Sequence, residues 1–208
     1  MSYMHRLVCY GAKYNFFVLF VLSMPVLINT EIILKTWLGT VPEYTVIFLQ
    51  LTIANILIDA ISAPLMTSAQ ATGKIRLYQS VVGGILLLNV PLSYFLLKLG
   101  SEPQIVIFAG IFSSILAFLA RLVILKKLTL LPVKLFFQEV VMRILLIVGA
   151  VLLAYYLMLS KNTDALGFWL SSTATTVFVL CTILVLGFDN KERRFIHQKL
   201  GFFIRRLK

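Results

Sequence analysis

Charged side chains are few in this chain, and cysteine and histidine are fewer still. Of its 208 residues only 13% are charged while 60% are hydrophobic, whereas a soluble domain averages about 25% charged and about 45–50% apolar residues. So high an apolar content excludes intrinsic disorder, and 11 glycines with 6 prolines exclude a collagen-like or Pro/Gly-rich repeat. The composition is too apolar for a soluble domain and indicates a membrane protein.

The residues that build catalytic and metal sites are equally sparse. The two cysteines, Cys9 and Cys181, have no metal-ligand spacing, and both histidines lie in the terminal segments. The chain contains no H-E-x-x-H motif, no Walker A sequence and no paired aspartates. A nucleophile with its base and an orienting group cannot be assembled from so few candidates. We therefore expect no enzyme activity, no metal site and no cofactor.

Six long apolar stretches take up most of the chain. They run over residues 14–34, 44–70, 77–97, 103–125, 140–159 and 165–188. A helix needs about 20 apolar residues to cross the hydrocarbon core of a membrane. The pattern therefore predicts an all-α, polytopic membrane helix bundle with six transmembrane helices. Residues 14–188 would form this six-helix lobe, preceded by a segment 1–13 and followed by a tail 189–208.

The basic residues predict the orientation of the bundle. All but three of the 19 lysines and arginines lie before the first stretch, in or beside the second and fourth connections, or after the last stretch. The odd-numbered connections hold the other three, Lys35, Lys98 and Lys161. Because cytoplasmic loops carry an excess of Lys and Arg, both termini are predicted to be cytoplasmic. This excess would face anionic membrane lipids, which explains a net charge of +11 without nucleic acid.

The tail 189–208 combines this charge with an apolar periodicity. Ile196, Leu200, Phe203 and Leu207 recur at helical spacing among basic residues. This pattern is typical of a basic amphipathic helix lying on the cytoplasmic leaflet. The alternative is a solvated basic tail.

The second apolar stretch carries a line of polar residues. Thr52, Asn55, Asp59 and Ser62 are three or four positions apart, which places them on one face of a helix. Ionisable residues inside spans are costly and are usually functional. We therefore interpret Asp59, with Asn55, as a substrate or proton/cation-coupling site. The alternative is polar contact between helices, which we favour for Thr52 and Ser62.

Four basic residues lie near the predicted cytoplasmic ends of the spans. Lys74 and Arg76 follow the second stretch, while Arg121 and Arg143 lie near the ends of the fourth and fifth. Arginine grips a phosphate with two parallel hydrogen bonds, and lysine acts as a point charge. If they converge, they would bind a lipid-linked phosphate. For each residue the alternative is an ordinary topology signal in contact with headgroups.

Several short segments between residues 11 and 127 occur in a recognisable order. These are WLG (37–39), VPEY (41–44), QATGKIR (70–76), YQ (78–79), NVPLSY (89–94) and KLG (98–100), with Arg121 closing the fourth stretch. This order resembles the C-terminal half of the O-antigen and capsular-polysaccharide flippases, in the multidrug/oligosaccharidyl-lipid/polysaccharide exporter superfamily. The last two stretches match that family only in hydropathy.

The resemblance implies a location and a transport activity. Family members are bacterial inner-membrane proteins with two helical lobes around a cavity, and they move polyprenyl-diphosphate-linked oligosaccharide across the membrane by alternating access. Lys74, Arg76 and Arg121 occupy positions that match basic residues of the family. Asp59 is outside the family pattern, so its role depends on the helix-face argument alone.

One departure from the family concerns size. Its members have about twice as many helices, as transporters built from repeated halves require. We therefore expect a missing N-terminal lobe or self-association to complete the protein. Two other functions remain open: a multidrug or small-molecule exporter of the same superfamily, and a non-catalytic membrane subunit.

Overall fold

The structure, a computed structural model, describes residues 3–158 and 165–188. Every regular element within these ranges is helical. The α-helices are α1 (Tyr3–Ile28), α2 (Thr30–Leu38), α3 (Thr45–Ala71), α4 (Ile75–Leu87), α5 (Asn89–Lys98), α6 (Ile105–Thr129), α7 (Val133–Phe136), α8 (Met142–Met158) and α9 (Ala165–Thr182). Two π-helical turns, Phe137–Val141 and Ile183–Gly187, precede α8 and follow α9.

Five helical segments are long and apolar enough to cross a membrane. They are Tyr3–Ile28, Thr45–Ala71, Ile75–Lys98, Ile105–Thr129 and Val133–Ala154, and Ser172–Gly187 is a shorter apolar helix. The predicted all-α class and multi-pass membrane character are therefore confirmed. The sixth span and the orientation of the termini stay predictions. The tail 189–208 and the connection that carries Lys161 lie outside the described residues.

The first helix begins much earlier than the apolar stretch does. It starts at Tyr3 and runs through Arg6 and Lys13, residues that hydropathy alone places before the span. Lys13 is only 3% exposed, and its Nζ atom lies 5.5 Å from the ring centroids of both Tyr10 and Tyr14. The ring faces stabilise the ammonium group by cation–π attraction, so this lysine is accommodated within the helix.

The helix of the third span is broken in the middle. It ends at Leu87 and restarts at Asn89. Pro91 explains the position of this break, because proline has no N–H to donate to the carbonyl four residues earlier, at Leu87. The Leu88 amide still bonds to the carbonyls of Gly84 and Ile85, so the chain continues in nearly the same direction.

The chain divides into two compact units, Met1–Val141 and Met142–Lys208. In the first unit α3 is central and packs against α1 and α6, while α4 and α5 pack against α6. In the second unit α8 packs against α9 and its π-helical turn, where Arg143 Nη1 donates to the Gly187 carbonyl at 3.4 Å. The candidate residues Asn55, Asp59, Lys74, Arg76 and Arg121 all belong to the first unit.

Pro64 interrupts the hydrogen bonding of α3, and α1 packs against this point. Pro64 has no N–H, so the Ala60 carbonyl has no partner within the helix. The Asn15 side-chain amide donates to that carbonyl at 2.9 Å. Gly11 lies directly against the Pro64 ring, since a Cβ atom built on Gly11 would be 3.2 Å from Pro64 Cγ. This pair of contacts fixes α1 against the middle of α3.

The helix ends of the first unit separate basic from acidic residues. His5 Nε2 donates to the Thr129 carbonyl at 2.8 Å, which brings the start of α1 to the end of α6. The contacts of Asn15 with Ala60 and of Gly11 with Pro64 show that α3, like α6, runs opposite to α1, so the end of α3 and the start of α4 lie at this same end. Exposed basic residues there are Arg6, Lys74, Arg76, Lys126, Lys127 and Lys134. At the opposite end are Glu31, Glu43 and Glu102, with Lys35 and Lys98.

Candidate functional site

An acidic and a basic side chain meet between α3 and α6. Asp59 lies near the middle of α3, and its Oδ1 atom is 3.9 Å from Nη1 of Arg121 on α6. The arginine is 7% exposed, whereas the aspartate side chain is half-exposed. A charge inside a span is costly to bury, and the opposite charge of Asp59 offsets part of that cost. The structure thus brings together two of the five residues that the sequence singles out.

Tyr78, on α4, holds the arginine from a third helix. Its hydroxyl accepts a hydrogen bond from Arg121 Nε at 3.1 Å, and Tyr78 is 1% exposed. The guanidinium is planar and presents its donors in a fixed fork. Fixing Nε therefore sets the direction in which Nη1 points, which is toward Asp59. We call Asn55, Asp59, Ser62, Tyr78 and Arg121 the inner cluster.

Three buried atoms of the inner cluster have no hydrogen-bond partner among the described residues. They are Asn55 Oδ1, Ser62 Oγ and Arg121 Nη1. Buried polar atoms in proteins almost always have a partner, and exceptions are associated with ligands, ions or functional strain. The inner cluster therefore offers two acceptors and one charged donor that protein contacts leave unsatisfied.

The remaining predicted residues do not join the inner cluster. Lys74 precedes the first turn of α4 and Arg76 lies within it, and both are exposed. They line an open groove of about 500 Å³, together with Gly73, Leu77 and Ser80. Two residues along from Arg76, Tyr78 is buried against α6, on the opposite side of α4. Lys74 and Arg76 therefore do not converge with Arg121, and Arg143 belongs to the second unit.

Two features of the site were missed by reasoning from the sequence. In the sequence Tyr78 stands out only as part of a family segment, although its spacing from buried Val82 marks an inward-facing side of α4. Lys13, a second buried cation, has the sequence position of a topology signal. Near it, the Cys9 thiol is within electrostatic reach of both Lys13 and Glu139.

The chemistry available to the inner cluster is ionic rather than nucleophilic. It combines one carboxylate, one guanidinium, a phenol, an amide and a hydroxyl. Such a set can bind an anion through Arg121 or hold a proton or cation at Asp59. No group of three or more His, Cys, Asp or Glu able to hold a metal ion occurs within the described parts of the chain.

Comparison with protein-family models, curated proteins and solved structures gives no match to this chain.

Proposed function

We propose that the chain is the C-terminal lobe of a flippase that moves polyprenyl-diphosphate-linked oligosaccharide across a bacterial inner membrane. In this proposal it contributes six spans with both termini in the cytoplasm. The order of segments from residues 11 to 127 supports the assignment to polysaccharide export. The main support for a transport function is the Asp59–Arg121 pair inside a span, because ionisable groups at such a depth line substrate or ion pathways.

Arg121 is the group that would meet the anionic end of the substrate. Its Nε is fixed by Tyr78, while Nη1 is buried and has no hydrogen bond to any residue that the structure describes. A phosphate oxygen is a stronger acceptor for this donor than a carboxylate 3.9 Å away. Since Nη1 is covered in this conformation, binding requires the Asp59 side chain to move aside.

Asp59 would couple that movement to a proton or another cation. While it is ionised, its negative charge competes with the diphosphate for Arg121. When it is protonated or binds a cation, that competition weakens and the guanidinium becomes available. A transporter needs binding that differs between its two conformations, and this exchange of partners provides such a difference.

The exposure of Asp59 supports a second lobe. Half of its side chain is uncovered, at the level of the middle of α3. A carboxylate facing lipid at the bilayer centre costs about 2.5–3.5 kcal/mol. An N-terminal lobe, or a second copy of the chain, would cover it and enclose a cavity.

The proposal is tested in proteoliposomes that contain the chain and its second lobe. A fluorescent polyprenyl-diphosphate oligosaccharide is added to the inner leaflet, and its appearance outside is followed by quenching. Asp59→Asn and Arg121→Ala are each expected to lower the rate at least tenfold at equal protein content. Glu102→Gln, which changes an exposed acid outside the spans, is the matched control for lost charge.

Three outcomes would contradict the proposal. Normal translocation in both variants would remove the inner cluster from transport. Efflux of small cationic drugs without translocation of the glycolipid would favour a multidrug exporter. Stable co-purification with a partner that transports equally well without Asp59 would favour a non-catalytic subunit.

A further inference from the structure

A groove on the outer side of α4 is separate from the inner cluster. It follows the first two turns of this helix and is lined by Gly73, Lys74, Arg76, Leu77 and Ser80. Gly73 ends the preceding turn with φ of +72°, a conformation that side chains other than glycine rarely adopt. The turn places Lys74 immediately before the helix, so two cations reach the groove within three residues.

The described part of the chain leaves the cations of this groove without ionic partners. Lys74 and Arg76 are exposed, and neither makes an ion pair or a side-chain hydrogen bond with any residue that the structure describes. Tyr78 and Val82, which are buried, occupy the other side of α4. The groove therefore opens away from Arg121 and presents its charge outward.

The position of the groove along the span indicates what it contacts. The span Ile75–Lys98 begins within it, so it lies where hydrocarbon gives way to headgroups. Leu77, directly after Arg76, is exposed, and the hydroxyl of Ser80 lies one turn deeper. Two cations at the start of the span, with an apolar side chain and a hydroxyl deeper along the helix, match a phosphate with the acyl and glycerol portions of the same lipid below it.

We propose that this groove binds the phosphate of an anionic bilayer phospholipid, with Lys74 and Arg76 on the headgroup and Leu77 against the acyl chain. Basic pockets beside spans hold anionic headgroups in this way, and Arg adds a bidentate contact to phosphate oxygens. The site is independent of the flippase assignment, because it faces away from the inner cluster and takes a lipid of the membrane itself.

The test measures lipid retained by the purified full chain. The protein is incubated in mixed micelles of phosphatidylcholine and phosphatidylglycerol, and bound lipid is counted by native mass spectrometry. The double variant Lys74→Gln/Arg76→Gln is expected to bind phosphatidylglycerol about 25-fold more weakly, or about fivefold for each cation lost. The variant Lys126→Gln/Lys127→Gln loses the same charge from exposed positions at the same end of the unit and is expected to retain binding.

Further arms identify the source of the phosphate. The site is supported if the unaltered chain retains phosphatidylglycerol over phosphatidylcholine, and if Arg76→Lys binds phosphatidylglycerol more tightly than the double variant Lys74→Gln/Arg76→Gln does. Equal losses in the two double variants would overturn it, because they would show diffuse surface charge. Displacement of the lipid by millimolar inorganic phosphate, or preferential binding of a polyprenyl phosphate, would also overturn it. Circular dichroism of each variant establishes that helix content is unchanged before these results are compared.

Discussion

The hydroxyl of Tyr78 accepts a hydrogen bond from Nε of Arg121 at 3.1 Å, joining α4 to α6 inside the first unit. Both residues are almost wholly buried. The bond leaves the other side of the guanidinium directed at Asp59 on α3. One arginine therefore connects α3, α4 and α6, and its orientation depends on a tyrosine that carries no charge.

Replacing Tyr78 with phenylalanine is expected to loosen this junction. The change removes one oxygen and leaves a buried, charged Nε without an acceptor, which costs about 1.5–3 kcal/mol. We expect a lower midpoint for thermal unfolding in detergent. Tyr94→Phe, at an exposed tyrosine of α5, is the matched control. Equal midpoints for the two variants would show that the bond adds nothing to stability.

The ion pair between Asp59 and Arg121 is expected to contribute less than its position suggests. The atoms are 3.9 Å apart, too far for a hydrogen bond, and polar contacts between spans contribute only about 0.6 kcal/mol on average, so we expect a coupling energy of about 1 kcal/mol or less. A double-mutant cycle of Asp59→Asn and Arg121→Gln, followed by unfolding in denaturing detergent, measures this coupling. A second cycle of Asp59→Asn with Lys98→Gln, at the far end of the unit, should give none. Strict additivity in the first cycle would contradict a direct pair.

The apolar stretches predicted most of the fold but not its boundaries. Hydropathy identifies where a helix can be buried in lipid, so the five long helices follow from it. It treats a lysine as the end of a span, and Lys13 shows why this fails. Two tyrosines one turn apart stabilise its ammonium group within the helix, and their effect is invisible to a sum over single residues.

The inner cluster was half predictable for a related reason. The spacing of Asn55 and Asp59 along one helix is a local property, and the sequence displays it. Which residue of another helix faces Asp59 depends on packing between segments far apart in the chain. The rotation of α4 about its axis decides which of its residues reaches Arg121. Arg76 and Tyr78 are two positions apart and lie on opposite sides of the helix, so the tyrosine faces inward and the arginine faces outward.

The short helix α2 provides a pH-dependent contact outside the five spans. The Lys35 ammonium donates a hydrogen bond to Glu31 Oε1 at 2.6 Å, and this bond, with the positive charge, holds the pKa of the Glu31 carboxyl below its ordinary value. Since the pKa is lower in the folded state, the pair stabilises the helix above the unfolded-state pKa of Glu31. The contribution is lost as the pH falls through the folded-state pKa. A carboxyl-carbon NMR titration of Glu31 is expected to shift upward in Lys35→Met. An unchanged midpoint would refute the pairing.

The close approach of Gly11 to Pro64 is expected to tolerate no side chain. In most exposed helix positions Gly→Ala stabilises, because alanine has the higher helix propensity by about 1 kcal/mol. At Gly11 the added Cβ would lie 3.2 and 3.3 Å from two atoms of the proline ring, which cannot rotate away. We expect Gly11→Ala to lower the unfolding midpoint and Gly11→Leu to lower it further. Overpacking of this kind reduces the free energy of unfolding by about 1–3 kcal/mol. Gly84→Ala is the control, since nothing lies within 4 Å of its Cβ position, and it should leave stability equal or higher. If Gly11→Ala behaved like Gly84→Ala, the close packing of α1 against Pro64 of α3 would be contradicted.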